Sequence, residues 1–324
     1  MVVTSTSVPK SIGTKYSEIP DNSRQIWVNP QFSLLKVSQA EIARMRNDNT
    51  IPKLNIEIIK FLKMAKFATA AQISKAVKKK VSDEFLGTMV KSLFLNEFIL
   101  SEFEVLEDLK NPDVLKIYTL DFGGQYLMSI LGEDMTNWRY TDLMIGTSII
   151  KKNLIQTELL IGFLDASKIT VRDYKQFKDM RIGSKIVRTD FQVSFKNIQN
   201  SSSILDFVGF IVPAGTEDVS FREYVDGLQT LFFETQAWKR YYPIGVKPKF
   251  LIVIEDSSDT SQIVKVANIL GQLTDLKPQD VLIVGYNEIS TVGLGKSNYF
   301  SFNTKEVDGS REVSVGKIKS QLFV

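Results

Sequence analysis

The spacing of apolar residues predicts helices in the first third of the chain. Between residues 38 and 100, apolar side chains recur every three or four positions, the period of a helix that buries one face. The helices predicted in this way cover 38–46, 53–65, 69–77 and 82–94. Ser82 is a residue type that caps a helix start, and Asn96 is a type that ends one in the left-handed conformation.

Strand-like alternation follows these helices. The segments "FILSEFEVL" (98–106) and "VLKIYTL" (114–120) alternate apolar and polar residues, and the Asn-Pro turn in "EDLKNPD" (107–113) separates them. A further short helix is predicted in "DFGGQYLMSILG" (121–132). The three helices predicted over 53–94, followed by this β-hairpin, give the element order of a winged helix-turn-helix. We therefore predict a loose N-terminal arm and short helix over 1–50 and a DNA-binding domain over 51–132.

The second half of the chain has a different pattern. A connecting helix is predicted over 133–165, and strand-like and helix-like segments are mixed over 166–324. The strand-like segments are 186–195, 204–213, 249–256 and 280–286, and the helix-like ones are 221–242 and 261–273. Helices between strands are typical of α/β domains. The fold class predicted for the whole chain is α+β, with an N-terminal winged helix-turn-helix and a C-terminal α/β domain.

The absence of cysteine and histidine narrows the possible chemistry. The chain contains neither residue, so thiol nucleophiles, imidazole bases, haem ligation by these residues and their zinc sites are excluded. We expect no cofactor and no metal. No run of about eighteen apolar residues occurs, and the N-terminus has no export-signal pattern, so we expect a cytoplasmic protein without a membrane partner.

The distribution of charge points to duplex DNA as the partner. Residues 53–100 contain nine lysines and four acidic residues, although the whole chain carries a formal net charge of only +3. The second helix of a helix-turn-helix enters the major groove, and cationic side chains beside it contact phosphates. The residues predicted to contact DNA in this domain are Thr69, Lys78, Lys79, Lys80, Ser82, Glu84, Gly87, Thr88 and Lys91. The alternative is that the lysines only keep a loop in water, in a module that docks proteins.

A second basic stretch covers residues 168–196. It contains eight basic and three acidic residues, and Lys175, Lys178, Arg181 and Lys185 are its predicted DNA contacts. Contacts from two domains would add phosphate interactions on one duplex. A homodimer would let the protein use two half-sites about one helical turn apart. The aromatic run "QAWKRYYPIG" (236–245) either stacks on bases or closes a core, and the second interpretation is favoured.

Three motifs resemble those of a known family. "TAAQI" (69–73), "SLFLNEFIL" (92–100) and "IYTLDFGGQYL" (117–127) are similar to the N-terminal domain of the replication-relaxation family of plasmid proteins. The resemblance covers roughly residues 54–131. It implies a winged helix followed by an α/β domain that resembles a diverged restriction-endonuclease fold. It also implies a role in plasmid replication or in DNA relaxation for transfer.

A nuclease of that type needs two carboxylates that hold Mg²⁺ and a lysine that supports the attacking water. Asp190 is a candidate first acid, but Gly209 and Ile211 occupy the positions where the second acid and the lysine would be expected. We therefore predict a DNA-binding protein without catalytic activity. The alternatives are a transcriptional regulator with a winged helix, a Mg²⁺-dependent nuclease, and an interaction scaffold for a replication or transfer complex.

Overall fold

The chain forms two compact units, which consist of residues 1–157 and 158–324. The computed structural model describes residues 24–27, 38–101, 115–135, 138, 147–198, 204–212, 218–242, 247–272, 276–308 and 310–318. Both units contain helices and strands, which confirms the α+β class. The boundary between Thr157 and Glu158 lies within 133–165, which was predicted as a connecting helix. Residues 133–135 are not helical, and the helix Thr147–Asp165 forms the C-terminal part of that range.

The first unit contains the helices that the apolar spacing predicts. Its elements are β1 (Arg24–Trp27), α1 (Gln39–Asn47), α2 (Lys53–Ala65), α3 (Ala70–Val77), α4 (Asp83–Lys91), β2 (Leu95–Ser101), β3 (Leu115–Leu120), α5 (Phe122–Ile130) and the N-terminal part of α6 (Thr147–Asp165). α2, α3 and α4 each bury an apolar stripe, including Ile58 and Ile59 of α2, Ile73 of α3 and Leu86 of α4, all with 0% exposure. Burial of these stripes is the main favourable contribution to the stability of this unit.

A small antiparallel sheet completes the first unit. β2 pairs with β3 over Leu95–Leu100, and the isolated bridge between Ala68 and Tyr118 joins the α2–α3 connection to β3. β1 pairs with the other edge of β2, so the segment predicted as a loose arm contributes a strand at Arg24–Trp27. The acidic segment 102–114, predicted as the turn of the hairpin, lies outside the described residues.

The end of α4 differs from the sequence prediction. Leu93, with φ +65°, takes the left-handed conformation that was expected of Asn96. Asn96 instead lies in β2 opposite Thr119 and is fully buried. The chain therefore turns three residues earlier than expected, because β2 begins at Leu95 to pair with Leu120.

Two glycines allow α5 to approach this turn closely. A Cβ atom at Gly123 would lie 2.5 Å from the backbone oxygen of Leu93, and one at Gly124 would lie 2.5 Å from the backbone oxygen of Phe94. Asp121 strengthens the contact, since its backbone N–H donates to the oxygen of Phe94 at 3.0 Å. The "DFGG" motif thus has a packing role, because any side chain at these positions would push α5 away from α4 and β2.

A Gly124→Ala substitution should lower the free energy of unfolding by about 1–3 kcal/mol, because the added methyl group collides with a backbone carbonyl that cannot move aside alone. Gly87→Ala is the matched control, since Gly87 also lies in a helix but has no atom within 4 Å of an added Cβ. The control should stabilise the protein by about 0.5–1 kcal/mol. Urea unfolding of both variants measures the two effects, and equal shifts would contradict the packing role of Gly124.

The second unit is built on a mixed seven-stranded sheet. Its elements are β4 (Ile169–Ile182), β5 (Lys185–Asn197), β6 (Ile204–Val212), α7 (Asp218–Gln229), β7 (Lys249–Ile254), α8 (Thr260–Gly271), β8 (Val281–Gly285), α9 (Tyr286–Val292), β9 (Tyr299–Val307) and β10 (Ser310–Ile318). The strand order is β10-β9-β8-β7-β6-β5-β4. β6, β7 and β8 are parallel, and the remaining neighbours are antiparallel. The four predicted strands and α8 are confirmed, whereas β4, α9 and β10 were not predicted.

Helices cover both faces of this sheet. The ring centroids of Phe163 in α6 and Phe195 in β5 lie 6.1 Å apart on one face. On the other face, Phe210 of β6 stacks on Tyr224 of α7 with a centroid distance of 3.8 Å. β8 is buried along its whole length and β7 from Phe250 to Ile254, which is the burial expected for a sheet covered on both faces.

The predicted helix over 221–242 is broken in three. α7 is followed by a π-helical turn at Thr230–Glu234 and by a 3₁₀-helix at Ala237–Arg240. Trp238 and Tyr242 are buried in the apolar core, and the rings of Trp238 and Phe232 are stacked with their centroids 6.4 Å apart. Trp238 and Tyr242 close a core rather than present a stacking surface, which agrees with the favoured interpretation of the aromatic run at these two residues. Residues 243–246 lie outside the described residues.

Candidate nucleic-acid interface

α3 begins with a reciprocal cap. The side chain of Thr69 accepts a hydrogen bond from the backbone N–H of Gln72, and the Gln72 side chain accepts one from the backbone N–H of Thr69. The amide nitrogen of Gln72 also donates to the backbone oxygen of Leu154 at 2.8 Å. Thr69 is only 5% exposed, so the prediction that it contacts DNA is corrected. Its hydroxyl is used to start the helix, because the first N–H groups of a helix need acceptors.

The turn between α3 and α4 holds three exposed lysines. Lys78 ends α3 in the left-handed conformation, with φ 54° and ψ 35°. The hydroxyl of Ser74 donates to the oxygen of Val81 and accepts from its N–H, both at 2.9 Å. Val81 is buried, so the turn is anchored at its far end while Lys78, Lys79 and Lys80 remain in solvent. The sequence predicted this exposure, and the structure agrees.

The lysines of the turn have different surroundings. The Nζ atom of Lys79 lies 2.7 Å from Oε2 of Glu57 in α2, and both side chains are about half exposed. A pair with such exposure contributes little to stability and is readily exchanged for another partner. Among the described residues, Lys80 and Lys91 make no ion pair.

The N-terminus of α4 is held from two sides. Ser82 caps the helix as predicted, since its side chain accepts from the N–H of Phe85 at 3.2 Å. The hydroxyl of Tyr118, on β3, donates to Oδ1 of Asp83 at 2.7 Å. Burial, followed by the bond to Asp83, raises the pKa of Tyr118 above its ordinary value, so this hydroxyl remains protonated at neutral pH. The sheet thereby fixes the position of the first turn of α4.

One face of α4 is buried and the opposite face is exposed. Leu86, Met89 and Val90 point into the core, with 0%, 1% and 6% exposure. The outer row contains Glu84, Gly87, Thr88 and Lys91. These residues follow the spacing i, i+3, i+4 and i+7 and so lie along one stripe of the helix. Glu84, Thr88 and Lys91 are exposed and Gly87 is half-buried with open space around it, which agrees with their predicted placement.

The predicted basic residues of the second unit form two groups. Lys175 is paired with Asp173 at 2.6 Å, and Lys178 lies opposite Thr189 in the β4–β5 register. Arg181 and Lys185 are exposed near the turn between these strands and, among the described residues, make no ion pair. The basic residues that the sequence places in one stretch therefore differ in their surroundings, since Lys175 has a carboxylate partner and, in the part of the chain that the structure describes, the residues near the turn do not.

Two further cations lie beside this turn. The hydroxyl of Tyr241 accepts from the N–H of Arg181 at 2.6 Å and donates to its oxygen at 3.2 Å. Arg240 directly precedes Tyr241 in the chain and Lys239 lies two residues before it, and both are exposed. They were not among the predicted DNA contacts because they follow Arg181 by nearly sixty positions, and only the fold joins the two segments. Their position within the aromatic run 236–245 was the one local signal.

Asp190, the candidate first acid of a nuclease, is bonded to the backbone of β6. Oδ2 of Asp190 accepts from the N–H of Ile211 at 2.7 Å, just beyond the last β5–β6 pair, Phe191–Gly209. The ring of Phe191 lies over Gly209 so closely that a Cβ there would be 1.9–2.3 Å from it. An acidic side chain at position 209 would need this ring to move. Within the described residues, no three acidic side chains are grouped so that they could hold a metal ion.

Comparisons of the chain with protein-family models, with curated proteins and with solved structures gave no match. Within the described ranges, no helix combines the length and the apolar character that crossing a bilayer requires.

A Tyr118→Phe substitution should lower the free energy of unfolding by about 1–3 kcal/mol, because it removes a hydrogen bond to the carboxylate of Asp83. The pKa of Tyr118 is raised in the folded state, so its contribution is complete below the unfolded-state pKa of about 10 and falls as the pH rises above it. The difference between wild type and variant should therefore shrink above pH 10. Urea unfolding at pH 7 and at pH 10.5 measures it, and a pH-independent difference would contradict this assignment.

Proposed function

We propose that the protein binds double-stranded DNA in a sequence-specific manner through a winged helix-turn-helix formed by α2, α3, α4, β2 and β3. The order of these elements supports the proposal, together with the bridge between Ala68 and Tyr118, which places the α2–α3 connection at the edge of the hairpin. In such a module α4 is the helix that enters the major groove.

The observation that carries the proposal is the exposed stripe of α4 next to the lysine turn. Glu84, Thr88 and Lys91 offer an acceptor, a hydroxyl with a methyl group, and a cation, which are groups that can distinguish base pairs in the major groove. Gly87 lets the helix backbone approach the base edges without a side chain between them. Lys78, Lys79 and Lys80 lie at the start of this helix, where they can contact the phosphates beside the groove.

We assign the biological role by resemblance. The "TAAQI" and "DFGGQYL" motifs favour replication or transfer of a plasmid or mobile element, in the cytoplasm, and the packing of Gly123 and Gly124 gives part of the second motif a physical reason. The element order α6-β4-β5-β6-α7-β7 is compatible with a diverged restriction-endonuclease fold. With Asp190 bonded to Ile211 and Phe191 over Gly209, this domain acts without catalysis in our proposal. A homodimer would place two copies of α4 on neighbouring half-sites.

Replacing Lys78, Lys79, Lys80 and Lys91 with glutamine should greatly weaken DNA binding. The logarithm of the affinity falls with the logarithm of the salt concentration, and each lost phosphate contact makes this slope shallower by about 0.9. We therefore expect a slope that is shallower by roughly 3 and an affinity loss of at least tenfold at physiological salt. The measurement is a fluorescence-anisotropy titration at several salt concentrations, with a duplex selected from a random pool by the wild-type protein. Thermal unfolding of the variant checks that it remains folded.

The charge-matched control replaces four exposed lysines of the second unit, namely Lys265, Lys296, Lys305 and Lys317. This control loses the same formal charge but should bind the selected duplex nearly as well as the wild type. Equal losses in both variants would mean that only net charge matters. Undiminished binding by the lysine-turn variant would refute the proposed interface.

A Glu84→Gln substitution should change specificity more than affinity. The carboxylate repels phosphates and can accept a hydrogen bond from the cytosine amino group, so its removal should strengthen non-specific binding and reduce discrimination at one base pair by about 1–3 kcal/mol. Binding to a set of single base-pair substitutions of the selected duplex measures this. The control is Glu41→Gln on α1, which makes the same change of charge at another exposed position. Identical base preferences in all three proteins would exclude Glu84 from base contact.

A further inference from the structure

The β4–β5 hairpin extends beyond its neighbour in the sheet. β5 pairs with β6 only over Phe191–Lys196, whereas its pairing with β4 continues to Lys185 at the two-residue turn. Gly183 provides that turn with φ +59°. Among the described residues, 185–190 of β5 therefore pair with no strand other than β4. The bond from the N–H of Ile211 to Asp190 follows the last pair of the β5–β6 ladder, although β6 itself continues to Val212.

The root of this extension is rigid and its tip is exposed. Val187 is buried and packs against Gly227 of α7, where an added Cβ would lie 3.0 Å from it. Arg188 is held by Asp179 across the hairpin through two bonds of 2.7 and 3.1 Å. Beyond this pair, residues 181 and 183–186 are exposed, and the two bonds of the Tyr241 hydroxyl to Arg181 fix the tip against the Ala237–Arg240 segment.

The exposed tip combines cations with an apolar side chain. Ile186 is 53% exposed and lies directly opposite Arg181 in the register. Arg181, Lys185 and Arg240 make no ion pair among the described residues, and Lys239 donates a hydrogen bond to Gln236. Water solvates the cations well but not Ile186. Proteins that bend DNA place this combination in the minor groove, where cations contact phosphates and an aliphatic side chain packs against a base step.

We propose that the hairpin tip and the Ala237–Arg240 segment form a second duplex-DNA contact, in which Arg181, Lys185, Lys239 and Arg240 contact phosphates and Ile186 packs into the minor groove. This inference rests on the proposed function, since it assumes that duplex DNA is the ligand. Within the second basic stretch (168–196), it assigns DNA contact only to residues at the hairpin tip, because Lys175 and Arg188 already have carboxylate partners. It also adds Lys239, Arg240 and Ile186, which were not among the predicted DNA contacts.

The experiment uses the full-length protein, the selected duplex and two variants. Replacing Arg181, Lys185, Lys239 and Arg240 with alanine should lower the salt slope by roughly 2–4, because each contact contributes about 0.9. Ile186→Ser should leave the salt slope unchanged, since no charge is altered. It should lower the affinity by roughly tenfold and reduce the bending of the duplex, measured by energy transfer between dyes on the two DNA ends.

The variant that lacks Lys265, Lys296, Lys305 and Lys317 is again the charge-matched control, and the lysine-turn variant is titrated in parallel. A normal salt slope in the tip variant and normal bending with Ile186→Ser would overturn the second contact, while loss of binding by the lysine-turn variant would leave the proposed function intact. Normal binding by the lysine-turn variant would instead refute the proposed function. A tip variant that binds DNA normally but loses a protein partner would also overturn this inference.

Discussion

Burial of one face of α4 is the constraint on which the candidate interface depends. Leu86 and Met89 are fully enclosed, so the helix cannot rotate about its axis without exposing them to water. The Tyr118–Asp83 hydrogen bond fixes the start of the helix, and the close approach of Gly123 to Leu93 fixes its end. The outward direction of Glu84, Gly87, Thr88 and Lys91 follows from this packing, because the two faces of one helix cannot be oriented independently.

The helices of the first unit could be predicted because each buries a continuous stripe with a period close to 3.6 residues. The elements that were missed lack such a signal. β4 is an edge strand with charged residues on both faces, so it alternates poorly, and β10 at the opposite edge is also half exposed. The segment 221–242 is apolar at helical spacing throughout, but Gln236 has φ 50°, a break that no residue type announced. The spacing of apolar residues within one segment predicts which face of that element is buried. It does not predict which parts of a common core are filled by each of the neighbouring elements.

The candidate site was predictable where exposure follows from helical periodicity. The lysine turn and the outer stripe of α4 could be read from the sequence because each position is defined by the buried residues beside it. Thr69 was wrongly included because its hydroxyl is as suitable for capping as for binding, and only the bond to Gln72 decides between them. Lys239 and Arg240 were not predicted as contacts, since their segment is joined to Arg181 only through the Tyr241 hydroxyl, a contact across sixty positions.

The small net charge of +3 is compatible with binding a polyanion when internal pairing is taken into account. Lys63 is bonded to Glu133, Lys175 to Asp173, and Arg188 to Asp179, so these cations are already partly neutralised. An existing pair must be broken, or its acid brought close to phosphate, before such a cation contributes to binding. Among the described residues, no ion pair has to be broken before binding at the following cations: Lys80, Lys91, Arg181, Lys185 and Arg240. In our proposal, the duplex is held where these cations are grouped on the surface, and the total charge matters less.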